Sequence, residues 1–267
     1  MNSHAMAYDT EGEGVPLVFI HEVATDRRLW LHQRSSFYQR YRLIAVDVLG
    51  HGVDHGEVTW LPQEFSLERA AGHVHGLLER LNAGPAFVIG VSMGAAVAMW
   101  LALNDALSVR GLILVSPWSH MSGDTRNLVE RLFQLADTGN MAAYTDLFLR
   151  HVLPMTYLER HTSEVELLRT LAMEQDARAV AYTWAACLAS DLTHRLGKIQ
   201  ARSLVIAGLK DLLTPPYLAR SVAEGLAEVE LEIWEETGHF PVLEDPVRFN
   251  RRLETFIRRC LTQARSE

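Results

Sequence analysis

Cysteine is scarce in this chain: Cys187 and Cys260 are the two among 267 residues. Each falls in an amphipathic stretch with no partner at metal-ligand spacing. Neither a disulfide framework nor a zinc site is indicated, and both read as small buried hydrophobes in a reducing compartment. Long apolar runs are missing as well. No stretch approaches the ~18 residues needed to cross a bilayer, and Met1–Thr10 shows no basic segment followed by an apolar one, so no secretory signal is expected. Basic charge is nowhere concentrated. Lys and Arg number 25 against 33 Asp and Glu, a formal net charge of −8, and the two signs are interspersed. A nucleic-acid-binding surface would leave a basic stripe, which is not seen. Neither a Walker-type phosphate loop nor G-x-G-x-x-G occurs. The expectation is a cytoplasmic protein acting on a small-molecule substrate, with no nucleic-acid or membrane partner. The oligomeric state stays open, a homodimer included.

What the chain does have is alternation. Hydrophobic residues make up 48%, and many are gathered in short runs rich in β-branched types. Leu17–Ile20, Leu43–Val46, Ala86–Val91, Leu112–Val115, Leu204–Ala207 and Leu231–Trp234 read as strands. Most are too continuously apolar to be half exposed, which points to a mostly parallel sheet covered on both faces. Helical patterns separate them. Ser66 can cap a helix whose apolar face is Leu67, Ala70, Ala71, Val74, Leu77, Leu78 and Leu81. Thr214-Pro215 and Asp245-Pro246 look like helix starts, the second opening a final helix with Phe249, Leu253, Phe256 and Ile257 on one side. The pattern predicts a doubly wound α/β fold.

From Pro117 to Arg195 the alternation stops. This stretch shows helical pattern only, at Leu128–Ala136, Ala142–Val152, Glu164–Glu174 and Ala177–Ala189, punctuated by Gly139-Asn140 and Pro154. Residues 117–195 therefore read as a helical cap inserted into a core made of residues 1–116 and 196–267.

The most informative motif is Gly90-Val91-Ser92-Met93-Gly94, set between an apolar strand and an Ala-rich helix. A serine on a strained strand-to-helix turn can hold its oxygen out at the sheet edge, and glycine on both flanks avoids crowding the backbone. The helix that starts there turns free N–H groups toward developing negative charge, which makes the Met93 N–H a candidate oxyanion donor. Serine's hydroxyl needs a base, and a neutral imidazole held by a carboxylate supplies one. In this fold the order is serine, acid, histidine. Asp211 follows the strand Leu204–Ala207, and His239 follows Gly238 after the strand Leu231–Trp234. Glu235 and Glu236 are rival acids, but they sit where exposed strand-end carboxylates are ordinary.

Together with Asp47-Val48-Leu49-Gly50-His51-Gly52, these segments resemble the α/β-hydrolase superfamily, whose D-x-x-G-H-G loop follows an early strand. The resemblance runs from about Pro16 to Phe256 and leans toward the small carboxylesterase and enol-lactonase branch, with aminoacrylate-hydrolase-like proteins nearby. It implies a serine hydrolase with Ser92 as nucleophile, His239 as base, Asp211 as its orienting acid, and the Val23 N–H as second oxyanion donor. Such a triad needs no metal and no cofactor.

Two departures stand out. Where the family opens its oxyanion loop with His-Gly, this chain reads His21-Glu22. A carboxylate near the developing oxyanion would oppose catalysis unless Glu22 is protonated, turned away or paired with Arg27 or Arg28. The simplest expectation is a side chain turned outward with the loop intact. The sharper one is that Glu22 enters the substrate pocket, binding a cationic or hydroxyl-bearing substrate or positioning water. The second departure is a short start, since at most one strand fits before Leu17.

Other candidates carry less. His51, Asp54 and His55 cluster in a glycine-rich loop, and His73 and His75 lie on different helix faces. Trp118 can wall the acyl pocket or cover the core, and Tyr182 and Trp184 pose the same choice. The sequence thus points to hydrolysis of a carboxylic ester, lactone or thioester through an acyl-enzyme. Carbon–carbon bond hydrolysis, acyl transfer on the same triad, and a ligand-binding receptor on a hydrolase scaffold remain as alternatives.

Overall fold

The computed structural model describes residues 6–52 and 65–263. In chain order the elements are β1 (Tyr8–Glu11), β2 (Pro16–Ile20), α1 (Leu31–Phe37), β3 (Arg42–Val46), α2 (Leu67–Leu81), β4 (Ala86–Val91), α3 (Met93–Asn104) and β5 (Val109–Val115). Five helices follow: α4 (Gly123–Asp137), α5 (Met141–Val152), α6 (Met155–Arg160), α7 (Thr162–Glu174) and α8 (Ala177–Ala189). The chain ends with β6 (Ser203–Gly208), α9 (Pro216–Gly225), β7 (Val229–Trp234), α10 (Pro241–Glu244) and α11 (Pro246–Gln263).

The strands form one seven-stranded sheet in the order β1-β3-β2-β4-β5-β6-β7. Strand β1 pairs antiparallel with β3, and the other neighbours run parallel. The one strand that fits before Leu17 is β1, and it takes an edge. Every residue of β4 and β6 is buried, as a strand covered by helices on both faces requires. Edge strand β7 is instead half-buried from Val229 to Ile233, with apolar and acidic residues alternating along it. Its Glu230 and Glu232 carboxylates bond Arg252, and Glu230 also bonds Arg259, both arginines from α11. These charges shield an edge that would otherwise invite pairing with another chain.

The sheet's order fixes where a site can form. From β2 the chain moves outward to β3 and then returns to the other side of β2 as β4. Strands β2 and β4 therefore flank the point where the winding reverses, and in such sheets a site is built beyond the carboxyl ends of those strands. The segment His21–Val23 leaves β2 there, and Ser92 leaves β4 there.

Local signals explain most element ends. Ser66 accepts the Arg69 N–H and Asp245 accepts the Arg248 N–H, as caps do. On α11, Phe249, Leu253, Phe256 and Ile257 are buried. Thr214 corrects the expected cap at Thr214-Pro215. Helix α9 begins two residues later, and the Thr214 hydroxyl is engaged by Asp211. Helix α6, unforeseen, forms directly after Pro154 and buries only Tyr157, too few apolar residues to leave a period. Residues 117–195 carry helices without a strand. Asp54 and His55 lie outside the described residues. Among those described, no group of three or more His, Cys, Asp or Glu is placed to hold a metal, and no helix is long and apolar enough to cross a membrane.

The turn after β4 is sterically tight. A Cβ on Gly94 would lie 2.2 Å from the Ile20 carbonyl oxygen, and one on Gly90 would lie 2.3 Å from the backbone of Gly94. Both neighbours are backbone and cannot step aside cheaply. Gly94→Ala is expected to cost more than about 2 kcal/mol in urea unfolding.

Candidate active site

Ser92 stands between β4 and α3 with φ 52 and ψ −109. An L residue rarely takes a positive φ, and holding one there costs on the order of 1–3 kcal/mol. The turn is held from outside. The Ser92 N–H donates to the Val115 carbonyl of β5 at 2.8 Å, and the Ser92 carbonyl accepts the Ala96 N–H at 3.1 Å. The side chain is buried, and its Oγ makes no hydrogen bond of good geometry. Met93 opens α3, so its N–H is not used within the helix.

His239 and Asp211 meet directly. The His239 Nδ1 and Asp211 Oδ2 are 2.6 Å apart, with both side chains wholly buried. Asp211 Oδ1 also accepts the N–H groups of Leu213 at 2.9 Å and Thr214 at 3.0 Å, while the Thr214 hydroxyl donates to Oδ2 at 2.8 Å. A carboxylate so satisfied fixes the imidazole tautomer: Nδ1 carries the proton and Nε2 is left as an acceptor. Nε2 has no hydrogen-bond partner. Burial disfavours the imidazolium, but the charge and hydrogen bond of Asp211 outweigh it, helped by Glu22 and Glu244. The His239 pKa is consequently raised above the ordinary value.

Three other segments pin the histidine's backbone. Its N–H donates to the Val152 carbonyl at the end of α5 at 2.7 Å, and its carbonyl accepts the Ser116 hydroxyl at 2.9 Å. The Glu244 carboxylate accepts the N–H groups of Gly238 and Phe240 at 2.7 and 2.8 Å. Burial pushes Glu244 up to about 7. Neither Thr214, read from the sequence only as a helix start, nor Glu244 was among the candidate site residues. A hydroxyl three residues after a strand-end aspartate, and a carboxyl six residues after the glycine before a loop histidine, are the signals that could have found them.

Glu22 overturns the expectation of an outward side chain: it is wholly buried. Its carboxyl group lies toward the N–H groups of Val23 and Met93 and the hydroxyl of Ser92, close enough for all three to favour its charged form. Neither oxygen, however, completes a hydrogen bond of good geometry. Burial dominates, and the pKa is pushed up to about 7, with His239 pulling it down less strongly. Nor does either nearby arginine pair with it. Arg27 bonds Asp47 and Asp9, and Arg28 bonds Asp26 and Glu174. Ser92, His239, Val23 and Met93 thus share one neighbour.

The backbone explains the inward turn. The Val48 N–H donates to His21 Nε2 at 2.8 Å, so His21 carries its proton on Nδ1 and donates it to the Glu22 carbonyl at 2.7 Å. Burial lowers the His21 pKa, consistent with a neutral ring. Thr25 closes the loop through its hydroxyl and N–H, both donated to the Glu22 carbonyl at 2.9 and 3.2 Å. With the carbonyl held this way and Ala24 at φ 58, the side chain is directed toward Ser92 and His239.

The remaining candidates divide. Trp118 is wholly buried with its Nε1 unpartnered. Trp184 is buried, and its Nε1 donates to the Tyr144 hydroxyl at 3.0 Å. Tyr182 is half-buried and accepts a bond from Arg178 on its own helix. His51 packs its ring 5.2 Å from that of His21. Glu235 and Glu236 are exposed. Cys187 is buried, and Cys260 is half-buried.

Comparison with known proteins places this geometry in context. A family model described as alpha/beta hydrolase fold matches residues 15–246. A curated relative from Agrobacterium fabrum, named "Putative carbamate hydrolase RutD", is 24% identical over 250 residues, covering 93% of this chain and 95% of its own. Among solved structures, Est816, described as an N-acyl homoserine lactone degrading enzyme, is 27% identical with a TM-score of 0.80, covering 94% of this chain and 96% of that one. The enol-lactonase from Burkholderia xenovorans shares the fold at a TM-score of 0.87 and 24% identity, covering 94% and 96%.

The buried Glu22 has a consequence for stability. The folded chain keeps its proton up to about 7, whereas the ordinary glutamate value is 4.5. That contribution is intact below the lower value and is lost as pH rises through the higher one. Glu22→Gln, which cannot ionise, is therefore expected to raise the melting temperature at alkaline pH by about 5 °C, and by much less in acid. Differential scanning calorimetry across the pH range checks this.

Proposed function

This chain belongs to the alpha/beta hydrolase fold family, and from that premise we propose that it is a serine hydrolase cleaving a small carboxylic ester, lactone or thioester through an acyl-enzyme. The observation that carries the reading is the buried His239–Asp211 pair at 2.6 Å, whose free Nε2 shares a neighbour with a serine held at positive φ. The names of the relatives support an acyl-transfer chemistry to water, with lactones and carbamates among the substrate classes they suggest.

In this mechanism the Ser92 Oγ attacks the carbonyl carbon while His239 Nε2 accepts its proton. Asp211 keeps Nδ1 protonated and stabilises the imidazolium. The carbonyl oxygen, now an oxyanion, is received by the N–H groups of Val23 and Met93, with the start of α3 adding its positive end. As the tetrahedral adduct collapses, the imidazolium gives its proton to the leaving group. A water deprotonated by His239 then releases the acid and restores Ser92. Helices α4–α8 serve as a cap over this site and select the acyl group, Trp118 among its walls, and the protein works in the cytoplasm on a freely diffusing substrate.

Ser92→Ala and His239→Ala are each expected to lower kcat/KM for short aryl esters by at least about 1,000-fold, with thermal unfolding little changed. Because His239 works as a neutral base and its pKa is raised, kcat/KM should climb with pH through a value above that of an ordinary histidine. A profile already flat below that value contradicts the assignment of the base.

A further inference from the structure

Glu22 is a buried carboxyl group that the mechanism above does not use. A polar group taken from water and left without a hydrogen bond costs stability and calls for an explanation. Its position supplies one. The N–H groups of Val23 and Met93, which it faces, are those that would receive a substrate's carbonyl oxygen, and the Ser92 hydroxyl beside them is the proposed nucleophile. Two anions cannot share that place, since like charge opposes the second.

Among the described residues, no side chain neutralises this carboxylate apart from His239, which must stay uncharged to act as base. Arg27 and Arg28 are committed elsewhere. The other titratable groups that feel Glu22 are Tyr144 and Cys187, and burial raises both well above their usual values, so both stay neutral. Tyr144 stacks on Phe148 with ring centroids 5.8 Å apart, and Phe148 packs against Phe240 at 6.2 Å, next in sequence to His239. A carboxylate beside aromatic rings is an environment that favours a cation.

Resting on the serine-hydrolase reading, we infer that Glu22 sets substrate specificity: it occupies the oxyanion position of the free enzyme and yields it to a substrate carrying a cationic nitrogen beside the scissile carbonyl, with which it then pairs. A neutral ester must displace the carboxyl group without compensation. A cationic one replaces the lost N–H contacts with a charge pair in a dry site, where such a pair is strong. Specificity then follows the charge of Glu22, present above about pH 7 and fading as the carboxyl group protonates below it.

Isosteric substrates test this. Aryl esters of trimethylammonioacetate and of 3,3-dimethylbutyrate differ in one charge on the acyl side. Acetyl esters of choline and of 3,3-dimethylbutanol differ likewise on the leaving side. The readout is the cationic-to-neutral ratio of kcat/KM, measured for the wild type, Glu22→Gln and Glu22→Gly, so that intrinsic reactivity cancels. The ratio for at least one pair is expected to fall at least about tenfold in Glu22→Gln, and to fall in the wild type as pH is lowered through 7. Glu22→Gly should hydrolyse the neutral esters faster than the wild type, because the oxyanion position is then free. Thermal unfolding confirms that both variants fold, and Glu22→Gln, the near-isosteric one, decides the matter if Glu22→Gly does not. Ratios unchanged in Glu22→Gln, with Ser92→Ala inactive, overturn this inference and leave the proposed function standing. Turnover retained by Ser92→Ala overturns both.

Discussion

A serine at φ 52 survives in a folded protein only where its surroundings leave the backbone no other course. Here β4 delivers the chain to the turn, β5 holds the Ser92 N–H through the Val115 carbonyl, and α3 begins at the next residue. Glycine at positions 90 and 94 is what lets these pieces close up, because any side chain there would strike backbone. The strain is local, of order 1–3 kcal/mol, and is borne by a buried parallel sheet. In return the hydroxyl stands at the carboxyl edge of the sheet beside unused N–H groups.

The rest of the site is assembled from distant segments that meet at this edge. His239 is tied to the end of β6 by Asp211, to the end of β5 by Ser116, and to the end of α5 by Val152. Glu244 fastens the N–H groups on both sides of it. An imidazole held at so many points loses little entropy on accepting a proton, so the fold pre-organises it for the role proposed for it. The bond to Val152 also joins the helical segment 117–195 to the histidine loop, so a change in those helices reaches that loop directly.

Much of this could be read from residue order alone, because the signals are local and repetitive. Apolar β-branched runs mark β2 to β6, since strands buried on both faces must be apolar throughout. Gly90-Val91-Ser92-Met93-Gly94 marks its turn because only that spacing relieves the crowding. Asp211 and His239 were found from their places after strands. What escaped was orientation. Whether Glu22 points outward or inward depends on Val48 and Thr25 holding the loop's backbone, contacts invisible in a linear reading. Thr214 was read as a helix cap because Thr-Pro is a common start, whereas the carboxylate of Asp211 claims its hydroxyl. Tyr144 comes near enough to feel the Glu22 charge only through the tertiary fold, and nothing in its sequence neighbourhood says so.

Activation of Ser92 by His239 is the claim on which the functional reading depends. Peptide mapping by mass spectrometry after exposure to a fluorophosphonate tests it most directly, comparing wild type with His239→Ala. A single adduct on the peptide bearing Ser92, formed in the wild type and suppressed by His239→Ala, is the predicted result. An adduct on another residue, no adduct at all, or labelling of Ser92 equally fast without the histidine would contradict it.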